Sequence, residues 1–150
     1  MIKSCFTFIS IFFYVSIFAQ GESNIWYFGI NAGLNFNSNP PTSLLDLPIG
    51  SMFSSEGCST ISDSNGNVLF YTNGEKVWNK NFQVMFNGNN LAGHNSSTQS
   101  SAIIPYPGTY NFTENRFDKY FLVTLDDYTV QAPIAEDKGV DFKAIKGSGE

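Results

Sequence analysis

Three Asn-Gly pairs, Asn65-Gly66, Asn73-Gly74 and Asn87-Gly88, fall within 24 residues of this chain. Asn and Gly accept the positive φ that tight antiparallel turns demand and most other residues resist. Around them lie short strand-like runs at 57–62, 68–72, 75–78 and 83–86. The segment 63–67 (DSNGN) closes the first hairpin, and Asn73-Gly74 closes the second as a two-residue connection. A chain punctuated in this way is predicted to run as a meander of adjacent antiparallel strands. Outside the first nineteen residues no stretch of twelve or more carries a helical period, so the fold class is all-β.

The flanking segments extend that reading. Residues 24–29 (NIWYFG) place Trp26 and Phe28 on one face of a strand and Ile25 and Tyr27 on the other. Both faces are apolar, which predicts a strand covered on both sides. Segment 37–43 (NSNPPTS) reads as a loop, because consecutive prolines cannot donate to a ladder. Residues 44–55 are irregular and 89–97 (NNLAGHNSS) form a polar loop. Strands follow at 98–104 and 119–125 (KYFLVTL), separated by a loop containing Pro105, Pro107 and Gly108. The last stretch, 132–150, is richer in charge and keeps Phe142 as its only aromatic residue. It is expected to be an irregular, truncated end without a closing strand.

The amino end is an address. Lys3 precedes an apolar run from Cys5 to Ala19, shorter than the roughly 20 residues that a spanning helix requires. A basic start, a short apolar centre and a small residue at Ala19 predict a secretory signal peptide, cleaved after Ala19. Ile17 at the −3 position is larger than such sites prefer. The mature chain then starts at Gln20 and has no transmembrane segment. Losing Lys3 moves the net charge from −5 to −6, a poor match to nucleic-acid phosphates. Cys58 is left as the sole cysteine, so no intramolecular disulfide can form. Its surroundings, GCSTIS, hold no His or basic residue, and a small buried hydrophobe is expected there.

The order of landmarks carries a resemblance: IWYFG, GLNF, EGCSTISDSNGNVLFYTNGEKVWN, a further Asn-Gly, SSTQSSAIIPYPG and KYFLVT. It resembles the amino-terminal region of large secreted proteins of Bacteroidota. Those end in a gliding-motility-associated, type IX secretion sorting domain, and the match covers roughly residues 24–125. The resemblance implies a WD40/YVTN-like β-propeller and export to the cell surface or medium. Blades of about 40–45 residues leave room for about three after the leader, whereas rings typically use four to eight. The expectation is therefore a signal peptide over 1–19, the first blades of an incomplete propeller over 20–131, and a charged end over 132–150.

Candidate chemistry is sparse. The turn 63–67 spaces oxygen-bearing side chains at alternate positions, as calcium loops do. An EF-hand needs Gly at its sixth position and a bidentate Glu at its twelfth, whereas here Gly66 is fourth and the twelfth position is Gly74, which cannot ligate. The predicted role of Asp63 is to cap backbone N–H groups. His94, the only histidine, sits beside Ser96 and Ser97 and is expected as an exposed loop residue. Glu56, Asp63, Glu75, Asp126 and Asp127 are the carboxylates that glycoside hydrolysis would draw on. Asp126-Asp127 reads as a turn. Trp26, Trp78 and Tyr71 offer faces to sugar rings, but their strand contexts predict core positions. In the bacterial protein that the resemblance implies, the sequons at Asn95 and Asn111 are incidental. No catalytic, cofactor-binding or metal-binding residue is assigned. The expected function is a non-enzymatic exported scaffold or interaction region for adhesion or gliding, with a protein or glycan partner at the cell surface. The alternative is a secreted glycan-binding module or glycan-active hydrolase.

Overall fold

The computed structural model describes residues 21–44 and 47–125, together with the backbone of 140–146. The leader expected over 1–19, the turn at Asp126-Asp127 and most of the charged end lie outside the described residues. After a 3-10 turn at Gly21–Ser23 the chain is all-β and antiparallel. β1 (Ile25–Phe28), β2 (Ala32–Asn35) and β3 (Thr42–Ser43) form a first sheet in that order. β4 (Ser59–Ser62), β5 (Val68–Thr72) and β6 (Val77–Asn79) form a second. β7 (Ser101–Pro105) leads into a small hairpin, β8 (Tyr110–Asn111) with β9 (Arg116–Phe117). The chain returns as β10 (Lys119–Leu125), which pairs with β7 on one side and with β11 (Val140–Lys146) on the other.

The second sheet is the middle layer, and its two faces enter two cores. Tyr71 and Trp78 pack with Ile25, Tyr27 and Met52 toward the first sheet. Phe70 and Val77 pack with Tyr120 and Leu122 toward the third. A bulge in β5 settles which side chain goes where. Ile61 pairs with Phe70 but Ser62 pairs with Val68, so Leu69 is an extra residue. A bulge sets two successive side chains against one partner. Leu69 and Phe70 accordingly share one core, while Val68 and Tyr71 belong to the other. Aromatic contacts bind the layers: Tyr27 meets Tyr71 edge-on at 4.7 Å between centroids, and Phe70 meets Tyr120 edge-on at 5.3 Å.

The first strands of the three sheets also touch one another. The Tyr27 backbone N–H donates to Thr60 Oγ1 at 3.1 Å, joining β1 to β4. Ser59 Oγ donates to the Ser101 carbonyl at 2.8 Å, joining β4 to β7.

Several expectations need correction. β1 is covered on one face only: Ile25 and Tyr27 are buried, but Trp26 is 52% and Phe28 38% exposed. The second hairpin has a four-residue connection, because Thr72 pairs with Val77. The Asn73 side chain builds it, with Oδ1 accepting from the N–H groups of Glu75 and Lys76. The strand expected at 75–78 is thus Val77–Asn79, and that expected at 98–104 is Ser101–Pro105. Residues 83–86 form no strand beyond a bridge from Val84 to Trp78. Positive φ at Phe82 and Asn87 twists that segment out of regular pairing. It still follows the free edge of β6, with Met85 N–H donating to Val77 O and Val77 N–H to Gly88 O. The loop expected at 37–43 ends in β3, which starts just past Pro41. Within the irregular end expected over 132–150, residues Val140–Lys146 are a strand on β10. The sheets are small and unclosed.

Candidate functional site

A groove of about 400 Å³ runs where the three first strands meet. Ser23, Trp26, Tyr27 and Phe28 line it together with residues 58–61 and Ile103. β4 is an edge strand of its sheet. Its alternation sends Thr60 toward β1 and Ser59 toward β7, which leaves its open edge along the groove.

The indole of Trp26 is held in place. Its Nε1–H donates to the Ser23 carbonyl at 2.9 Å, and its ring lies 4.9 Å from that of Phe36, tilted by 49°. The polar edge of the indole is therefore spent inside the chain, and apolar ring surface faces solvent. Thr60 Oγ1 accepts from Tyr27 N–H and keeps its own hydrogen to donate. Ser59 Oγ donates to Ser101 O while accepting from Ser101 Oγ at 3.0 Å. The Cys58 thiol donates to the Tyr27 carbonyl at 3.3 Å, and burial raises its pKa. None of the lining side chains carries a charge. Such a site binds by apolar contact and neutral hydrogen bonds.

The other sequence candidates lie apart in role. Asp63 Oδ1 accepts from the N–H groups of Asn65 and Asn67, both at 2.9 Å, and Oδ2 accepts from Asn67 Nδ2 at 3.0 Å. That is the capped turn expected from its sequence, with both carboxylate oxygens already held by donors. Gly66 carries the positive φ. Among the described residues no cluster of three or more His, Cys, Asp or Glu could hold a metal ion. Glu75 Oε1 accepts from the backbone and side chain of Asn95, and Glu56 Oε2 accepts from Thr98 Oγ1 at 2.8 Å. Both carboxylates thus secure the loop after Leu91.

His94 is half-buried rather than exposed, and its Nδ1 accepts from the Ser96 N–H at 3.2 Å. The Ser97 hydroxyl donates to the Leu125 carbonyl, not to the imidazole. Trp78 and Tyr71 occupy the core positions expected of them, and Trp26 does not. Ser59 and Thr60 were not singled out by sequence. The signal was faint: two hydroxyls in a strand whose edge is open only in three dimensions.

Among the described residues no helix is long and apolar enough to cross a membrane. No protein-family model, curated protein or solved structure matches the chain.

Proposed function

We propose that this chain is an exported, non-enzymatic interaction and scaffold region, built as consecutive blades of a β-propeller and displayed at the cell envelope. One observation carries the reading. Three three-stranded sheets follow one another, the middle one is covered on both faces by its neighbours, and the first strands of all three meet. Blades in a propeller stack in the same way, with like strands side by side near the axis. The segment after Phe82, which tracks the edge of β6, stands where a fourth strand of a blade would be. The basic, apolar, small-residue order of 1–19 supports export. The run of landmarks from IWYFG to KYFLVT supports a place among type IX-secreted, gliding-associated proteins of Bacteroidota. The apolar faces left open on the first sheet, at Trp26, Phe28 and Phe36, support an interaction role over a catalytic one.

Placing an epitope at the exposed tip of the β8–β9 hairpin, beside Thr113, tests this reading in the native bacterium. Labelling of intact cells, with a mature terminus at Gln20, is the expected result. Retention in the cytosol with residues 1–19 still attached would overturn it. So would turnover in a glycoside hydrolase panel that a single substitution at Glu56 or Glu75 abolishes. A second reading, a glycan-binding module, is favoured by the outward-facing Trp26.

A further inference from the structure

We infer that the groove between the first strands binds a neutral pyranose unit of a glycan, stacked on Trp26 and hydrogen-bonded by Thr60. The assignment rests on reading the chain as a displayed interaction region, and it specifies what that region takes.

Four features of the groove converge on this chemistry. A sugar ring has an apolar C–H face and a polar rim, and the groove pairs apolar ring surface with hydroxyls. Trp26 supplies the flat surface: it is 52% exposed, and its ring is fixed by Ser23 and Phe36. Fixing the ring beforehand removes an entropy cost from binding. The Thr60 hydroxyl supplies a directed donor, since its oxygen is positioned by Tyr27 N–H and its hydrogen remains available. Lastly, no charged side chain lines the groove, which excludes the ion pairing that a uronate or a sulfated sugar would need. The volume, about 400 Å³, lies in the range of small-ligand sites.

An apolar peptide would use Trp26 as well and could accept from Thr60 through a backbone carbonyl, but it would leave the groove without affinity for any saccharide. Another sheet laid on β1 would need the flat face of Trp26, Phe28 and Phe36 together, and not the hydroxyl at its side. These differences decide the experiment.

The full chain carries two tryptophans, of which Trp78 is 5% exposed, so intrinsic fluorescence reports mainly on Trp26. A panel of neutral gluco-, manno-, galacto- and xylo-oligosaccharides is titrated to millimolar concentrations, with polygalacturonate beside it. The expected result is a saturable fluorescence change with at least one neutral saccharide. Affinity, read for the variants by isothermal titration calorimetry because two of them remove the fluorophore, should fall tenfold or more in Trp26→Ala and severalfold in Thr60→Val, while Trp26→Phe keeps part of it. Phe112→Ala, at an exposed apolar residue outside the groove lining, should bind as the wild type does. Circular dichroism confirms that each variant is folded, and Thr60→Ser restores binding if Thr60→Val has disturbed β1. No change with any neutral saccharide overturns the assignment, as does a preference for polygalacturonate. Self-association of the wild type that Trp26→Ala removes, without saccharide binding, also overturns it and assigns the face to a sheet–sheet contact. Surface labelling and sugar binding are separate readouts, so failure of one is distinguishable from failure of the other.

Discussion

Single side chains in this protein do the work that longer elements do elsewhere. Asp63 satisfies two backbone N–H groups and one amide within five residues, which holds DSNGN in a single conformation. Asp63→Ala removes the acceptor of all three bonds, whose donors on the exposed Asn65 and Asn67 then turn to water, and should cost about 1 kcal/mol, read as a lower urea midpoint. Because donors already occupy the carboxylate, calcium and EDTA should each leave the melting temperature where it was. A calcium-dependent rise would overturn the turn assignment. Cys58 makes a comparable case. Its thiol is half-buried, donates to Tyr27 O, and has its pKa raised by burial, so it stays protonated near neutral pH. Only the thiolate is reactive. Alkylation at Cys58, followed by mass spectrometry, should run about tenfold slower in the native chain than in urea. Equal rates in both states would remove the packed thiol from this account.

At the scale of elements, the bulge in β5 is the device that lets one short strand feed two cores. Leu69→Ala empties part of the core against Tyr120 and Leu122, while the pairing of β4 with β5 is backbone-made and survives. The expected cost is about 2 kcal/mol, and about 3 kcal/mol or more for Phe70→Ala, whose ring is wholly buried. If Leu69→Ala melts as the wild type does, the bulge does not turn that side chain inward. Such devices mark the limit of what sequence patterning conveys. The strands at 68–72 and 119–125 were legible because their lengths and apolar runs exceed any turn signal, and β10 alternates buried with less buried residues along its whole length. The turn at Asp63 was legible from its residue types. β8 and β9, two residues each, are too short to leave a period. β11 pairs with β10 across fourteen intervening residues, a partnership that no local pattern records. In β1 all four residues are apolar, so periodicity cannot say which pair is covered, and the exposed Trp26 followed only from the placement of β4. Ser59 and Thr60 were hidden for the same reason: their meaning depends on which strand lies beside them.

The whole molecule is held by aromatic residues sandwiched between sheets, and that makes its stability sensitive to alkali. Tyr27, Tyr71 and Tyr120 are buried, and burial is the main cause that raises each of their pKa values above the ordinary value near 10. For Tyr71 the nearby Tyr27 adds to the rise, and the Ser51 side chain opposes it. Below pH 10 these phenols are neutral in the folded and unfolded chain alike, and they add no pH dependence. Above it the unfolded chain loses protons that the folded chain retains. Stability must then fall as pH rises, because the unfolded state binds fewer protons. The three tyrosines lie in both cores, so none can ionise without opening a contact between the middle sheet and a neighbour. The expected observation is a urea midpoint that is flat in pH up to about 10 and drops beyond it, with the tyrosinate absorbance of the three buried rings appearing in one cooperative step alongside loss of near-ultraviolet circular dichroism. Tyr71→Phe removes one of these protons, so its midpoint should fall less steeply above pH 10. At neutral pH the same variant should be weaker by about 1 kcal/mol, through loss of the bond to Ser51. If Tyr27, Tyr71 and Tyr120 ionise while the dichroism persists, the three rings are reachable by solvent, and the stacking of sheets about a common line of first strands does not describe the molecule.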